Sequence, residues 1–168
     1  KHLLTIKTAD DIAWPIPHGQ VLKIKIEVDT DPPPGFSTEN KFVLQPIPFS
    51  VRTYVVPDLF AGKMHVVLCR RWKNRVKGRD WHDLVWYAAN HPQLHLSHLE
   101  QRMIQSGHLK QGEQMDIKMF FALTTKAIDE LDVNQARKEV EPFVKNPDSL
   151  EVWSGDFFKD VVGRIVVV

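Results

Sequence analysis

The chain carries one cysteine, Cys69, in 168 residues, which rules out an intrachain disulfide and fits a reducing, cytoplasmic setting. Glycine is sparse as well, at eight residues. None of the eight falls in the G-x-G-x-x-G or G-x-x-x-x-G-K-[ST] spacing that lets backbone amides cradle phosphates. A Rossmann enzyme and a P-loop NTPase are therefore disfavoured. An α/β-hydrolase is disfavoured too, because no serine stands in a G-x-S-x-G elbow. No apolar run approaches the roughly 20 residues that cross a bilayer, and no secretory pattern is visible, so the expectation is a cytoplasmic protein with no membrane partner.

One further absence is local. Arg70, Arg71, Lys73, Arg75, Lys77 and Arg79 follow one another with no acid among them. Including Asp80, this window carries +5, whereas the whole chain carries only +1. A basic segment on a mildly acidic body points to an anionic ligand more directly than uniform basicity does. With 43% hydrophobic and 26% charged residues, the rest reads as an ordinary globular chain able to bury a core.

The basic segment lies inside the stretch that organises the chain, residues 58–83. Asp58 follows Pro57 and is placed to cap a helix. Leu59, Phe60, Met64, Val67 and Leu68 recur at spacings that suit one buried helical face. Lys63 falls within that pattern; its stem can lie on apolar surface while its ammonium emerges at the edge. After the basic segment, Asp80 to Asp83 open a second helix, with Trp81, Leu84, Val85, Trp86 and Tyr87 on its apolar side.

Upstream, residues 21–28 alternate as a strand. Leu22, Ile24, Ile26 and Val28 take one face, and Lys23, Lys25, Glu27 and Asp29 the other. Asp31 and three prolines make a rigid exit. Residues 41–44 and 48–56 are further strands. Residues 95–106, closed by Gly107, then 116–131 and 134–144 read as helices. Residues 156–168 suit a helix or, in their Val-rich tail, a strand. The fold class is α+β, divided into a mixed part, residues 1–90, and a helical part, residues 91–168.

Glu27 on a strand face is either a carboxylate ligand for Mg²⁺ or one charge on a solvated surface. Lys63 is either a point charge for a nucleotide phosphate or a snorkelling surface lysine. In the basic segment, arginines suit bidentate contact with phosphate oxygens, and Asp80 can orient a cation or take a proton from a substrate hydroxyl. The same residues would otherwise form a solvated loop. His91, His95, His98 and His108 resemble a metal spacing only loosely, because no adjacent acid or cysteine completes a ligand set.

Taken in order, Lys25-Ile26-Glu27, then Asp58-Leu59 with Ala61, Lys63 and His65, then Lys77, Arg79-Asp80 and Asp83-Leu84 resemble the AbiEii/AbiGii-type nucleotidyltransferase toxins of abortive-infection and type IV toxin–antitoxin systems. The resemblance covers about residues 21–87. It implies a polymerase β-like core, a small sheet with helices, followed by a helical C-terminal half. It implies Glu27 as a metal-binding and catalytic carboxylate, Lys63 on the nucleotide phosphates with Lys77, Arg75 and Arg79 beside it, and Asp80 as a catalytic acid, with Lys25 and Asp83 in support. The reaction implied is Mg²⁺-dependent transfer of a nucleoside monophosphate from an NTP to an acceptor such as RNA, with a cognate antitoxin as protein partner.

The family also places a Gly-rich, paired-acid motif before the K-I-E strand, and residues 1–20 hold nothing like it. The expectation is therefore a fragment of the enzyme or a member without catalysis. The alternative reading is a non-catalytic RNA- or nucleotide-binding module, or one that docks an antitoxin through its basic segment.

Overall fold

The computed structural model describes residues 27–70 and 77–168. The chain divides into two compact units, Lys1–Pro32 and Pro33–Val168. Of the first, the described part begins at Glu27. Glu27 and Val28 have no strand pairing and are exposed, Val28 at 80%. The expectation that Val28 faces a core is thus corrected. Residues 21–26, which carry most of the expected strand and Lys25, lie outside the described residues.

The second unit opens with an antiparallel hairpin. Strands β1 (Thr38–Val43) and β2 (Phe49–Tyr54) pair with Thr38 opposite Tyr54 and Val43 opposite Phe49. Helix α1 (Val56–Cys69) follows directly, then α2 (Gly78–Asn90), β3 (Gln93–Leu94) and α3 (Leu96–Gln105). Helices α4 (Ile117–Asp129), α5 (Val133–Val140) and α6 (Gly155–Val162) complete the helical part, and β4 (Val166–Val167) returns to pair in parallel with β3. The architecture is α+β: a small hairpin and a short parallel pair around a helical body.

Local chemistry explains most boundaries. Asp116, Asp132 and Ser154 each accept from the backbone N–H three residues on, capping α4, α5 and α6. Pro142 cannot continue α5, and the chain tightens there into a short 3-10 turn, Glu141–Phe143. The tail of residues 156–168, read as helix or strand, supplies both, because Gly163 ends α6 before the valines reach β3.

Helix α1 is the central element. Phe60, Ala61 and Met64 are fully buried, packed with Leu84 of α2, Leu99 of α3 and Phe120 of α4 in one core. The Phe60 and Tyr87 rings stack at 4.9 Å between centroids. Around the far end of α2, Trp81 and Trp153 both meet Phe158 edge-on at 5.0 and 5.1 Å. Leu59 and Trp86, assigned to apolar faces from their spacing, are largely exposed at 42% and 47%.

Asp58 does not cap α1. The N-cap is Val55, and Asp58 sits inside the first turn with its side chain fully buried. One carboxylate oxygen accepts from the Ser37 N–H at 2.6 Å and the other lies 2.7 Å from Nδ1 of His95. Long-range partners win over the local cap because Pro57 fixes the helix start one turn earlier than the carboxylate would. The acid thus ties the entry of the hairpin, the start of α1 and the start of α3 together. His98 extends the same seam: its Nδ1 lies 3.2 Å from the Pro34 carbonyl, and Arg102 Nε donates to its Nε2 at 2.9 Å. That pattern makes Nδ1 the protonated nitrogen of a neutral ring. Burial, first of all, holds the His98 pKa below its ordinary value.

Candidate functional site

Helices α1 and α2 are joined through the basic segment, so whatever that segment serves must lie near the end of one and the start of the other. Residues 71–76, including Arg75, lie outside the described residues. The flanking residues are described.

The start of α2 is fixed by backbone packing. A Cβ built on Gly78 would fall 2.0 Å from the carbonyl oxygen of Ala136 in α5. Only glycine allows the two helices this approach. It sets the two residues that follow, Arg79 and Asp80, against α5 and the turn after it. The Arg79 guanidinium lies 4.6 Å from the centre of the Phe143 ring, a cation–π contact.

Lys63, Lys77, Arg79, Asp80 and Asp83 line one cleft of about 430 Å³, floored on its apolar side by Val140, Phe143 and Val144. The volume lies within the range of small-ligand sites. Lys63 is not a free surface lysine: its ammonium donates to Asp83 at 2.5 Å, with both side chains about 40% exposed. His82 also lines the cleft.

Asp80 is the buried member of the set, 9% exposed. Burial raises its pKa above the ordinary carboxylate value. Lys77, Lys63 and Arg70 oppose the shift and Asp83 adds to it. Asp80 and Lys77 also line a second cleft of about 410 Å³ on the other side, shared with Cys69, Arg70 and His108. The start of α2 therefore separates two hollows.

The donor set decides what the first cleft can hold. Its two acids face at least as many cations, and Asp83 is already paired, so a divalent cation would compete with fixed ammonium groups for the same oxygens. A polyphosphate would find two ammonium groups and a guanidinium. The cleft fits an anion, not a metal ion. Glu27, the carboxylate assigned to metal, belongs to the other unit and is exposed.

Phe143 and Val140 escape a reading of sequence because they stand some 60 residues beyond Arg79. Nothing in their own neighbourhood marks them as cleft residues. The loose histidine spacing has other uses at two of its positions: His95 is engaged with Asp58, and His98 with Pro34 and Arg102.

Among the described residues, no helix is long and apolar enough to cross a membrane. A family model described as nucleotidyl transferase AbiEii toxin, type IV TA system, matches residues 5–157. No curated protein and no solved structure matches the chain.

Proposed function

The chain belongs to the AbiEii nucleotidyl transferase toxin family of type IV toxin–antitoxin systems, and from that premise we propose that the cleft between α1 and α2 receives the triphosphate of an NTP for transfer of its nucleoside monophosphate to an acceptor, RNA foremost. The protein partner that membership implies is a cognate antitoxin. The observation that supports the reading is the gathering of Lys63, Lys77, Arg79, Asp80 and Asp83 on one cleft.

Each residue then has a task that follows from its chemistry. Lys63 meets a phosphate oxygen as a point charge and exchanges its Asp83 partner for the ligand. Arg79, in contact with the Phe143 ring, presents its fork to two phosphate oxygens, and Lys77 adds positive charge beside it; Arg75, expected from the sequence to join them, lies outside the described residues. Asp80, whose affinity for a proton burial raises, is suited as a carboxylate to accept one from the attacking hydroxyl. Asp83 keeps Lys63 aimed across the cleft when no nucleotide is present.

Glu27, with Lys25 beside it in sequence, would supply one oxygen ligand for a divalent cation of the Mg²⁺ type, whose chemistry is to offset charge as pyrophosphate leaves. One carboxylate does not make a two-metal site. These 168 residues alone are therefore expected to bind nucleotide and to leave transfer undetectable, with further acids needed beside Glu27 for turnover.

The test pairs two measurements. Isolated, the chain should bind NTP, and Lys63→Ala should weaken that at least tenfold, equivalent to about 1.4 kcal/mol. A protein that carries this chain together with the further acids, given each labelled NTP, Mg²⁺ and total RNA, should label RNA, and Asp80→Ala should abolish labelling. Absence of labelling with all four nucleotides from folded protein would overturn the enzyme reading. RNA binding that persists unchanged in Glu27→Ala, without labelling, would leave the binding module in its place.

A further inference from the structure

We propose that His65, Cys69 and His108 form a binding site for a transition-metal ion of the Zn²⁺ class, on the side of α1 turned away from the Lys63–Asp83 pair.

The ligand atoms of these three residues all lie within 4.8 Å of one another. A tetrahedral zinc ion bound through nitrogen and sulfur holds its ligand atoms roughly 3.3–3.6 Å apart, by the usual bond lengths of about 2.0–2.3 Å. Closing the difference takes an adjustment of about an ångström.

The arrangement has a local origin in each of its parts. His65 and Cys69 stand four residues apart on α1 and so share one face. His108 comes from the far end of α3. There Gly107, at φ +75°, reverses the chain, and the N–H groups of His108 and Leu109 both bond to the Met103 carbonyl, at 2.8 and 3.1 Å. That closure fixes the backbone of His108 against α1.

The two imidazoles already converge on one polar atom. The Ser106 hydroxyl oxygen lies 2.8 Å from His65 Nε2 and 2.9 Å from His108 Nδ1. The hydroxyl also reaches the Met103 carbonyl at 3.2 Å. A water, or this hydroxyl, would complete the four-coordinate shell. Cys69 and His108 line the second cleft, which gives an ion a route from solvent.

Two nitrogens and a sulfur are a borderline-soft set. They favour zinc, cobalt or copper and discriminate against magnesium, which takes hard oxygens. Coordination forms a metal–sulfur bond as the Cys69 S–H bond breaks, and the proton leaves to solvent, so one positive charge is released per ion bound. The bound ion would join the last turn of α1, from which the basic segment departs, to the turn that ends α3. The competing account is a His–Ser–His hydrogen-bond chain beside an inert core thiol, and the two differ in what they predict for added metal.

The experiment uses the whole chain, stripped with a chelator and titrated with Co²⁺ and then Zn²⁺. The expected result is one equivalent bound, with tetrahedral d–d absorption and a thiolate-to-cobalt charge-transfer band, one proton released, and no displacement by a large excess of Mg²⁺. His108→Ala, at an exposed position that leaves the core intact, should lower the affinity more than tenfold. Cys69→Ala, checked for folding by circular dichroism, should lose the charge-transfer band. Failure to take up one equivalent, octahedral spectra without the thiolate band, or wild-type affinity in His108→Ala would each overturn the proposal. None of these readouts depends on nucleotidyl transfer.

Discussion

Lys63 of α1 and Asp83 of α2, twenty residues apart in sequence, are joined by an ion pair of 2.5 Å at the rim of the cleft. Both side chains remain about 40% exposed. The pair is therefore worth little to the fold, at most about 1 kcal/mol, whereas the ammonium it holds in place matters to any anion that enters. Lys63→Ala is expected to leave the urea midpoint nearly unchanged while nucleotide binding falls at least tenfold. Asp83→Asn should leave folding equally intact and loosen the lysine, raising the Kd for NTP by a smaller factor. Isothermal titration beside a denaturation curve separates the two effects.

Asp80 presents the opposite balance. Its folded-state pKa is raised above 3.8, chiefly by burial, so the ionised form is disfavoured by folding. That cost is absent below the ordinary carboxylate pKa, grows as pH rises through the interval to the raised value, and is fully present above it. Asp80→Asn removes it. The variant should be at least as stable as the parent at pH 7, with the gain shrinking as pH falls towards 3.8. Urea titrations at several pH values would show the trend, and a variant less stable at pH 7 than at pH 4, relative to parent, would contradict it.

Gly78 tolerates no side chain. A methyl group there meets the Ala136 carbonyl at 2.0 Å, and backbone on both sides must move. Gly78→Ala should cost about 1–3 kcal/mol or more and reduce nucleotide binding, because Arg79 and Asp80 shift with the helix start. Gly155→Ala, where a Cβ meets nothing within 4 Å, should change stability by about 0.5 kcal/mol or less. Thermal melts of the two variants make the comparison.

His98 is fully buried and neutral, with its pKa held below 6.5 by burial first and then by Arg102, against a raising contribution from the Pro34 carbonyl. Such a group contributes its full stability above 6.5, and loses it as pH falls, because the unfolded chain takes the proton that the folded one refuses. The urea midpoint should therefore decline from pH 7.5 to pH 5.5. His98→Gln should flatten that slope and cost about 1–3 kcal/mol at pH 7.5 through the lost hydrogen bonds.

Much of this molecule could be read from the chain. The two strands at 41–44 and 48–56, the helix beginning near Asp58, the helix ended by Gly107 and the helix over 116–131 all carry local signals, and the structure has each within a few residues of its expected bounds. What sequence did not disclose was partnership at a distance. Asp58 had the look of a cap, but its partners are Ser37 and His95. Phe143 became part of the cleft only through the packing of α5 on α2 at Gly78. The histidines nearest one another in sequence are spent on the seam of Asp58 and Arg102. His65 and Cys69, four apart on one helix, carried the one local hint of a shared face, and their third companion arrives from Gly107's turn.

Lys63 and His65 are two residues apart on α1, and at 100° per residue they leave the helix in nearly opposite directions. One reaches Asp83 on α2; the other reaches Ser106 beyond α3. The helix is thus a shaft gripped from both sides. Any roll that improved the fit on one side would drag the other out of register, so the contacts on its two flanks cannot be retuned independently by evolution or by design.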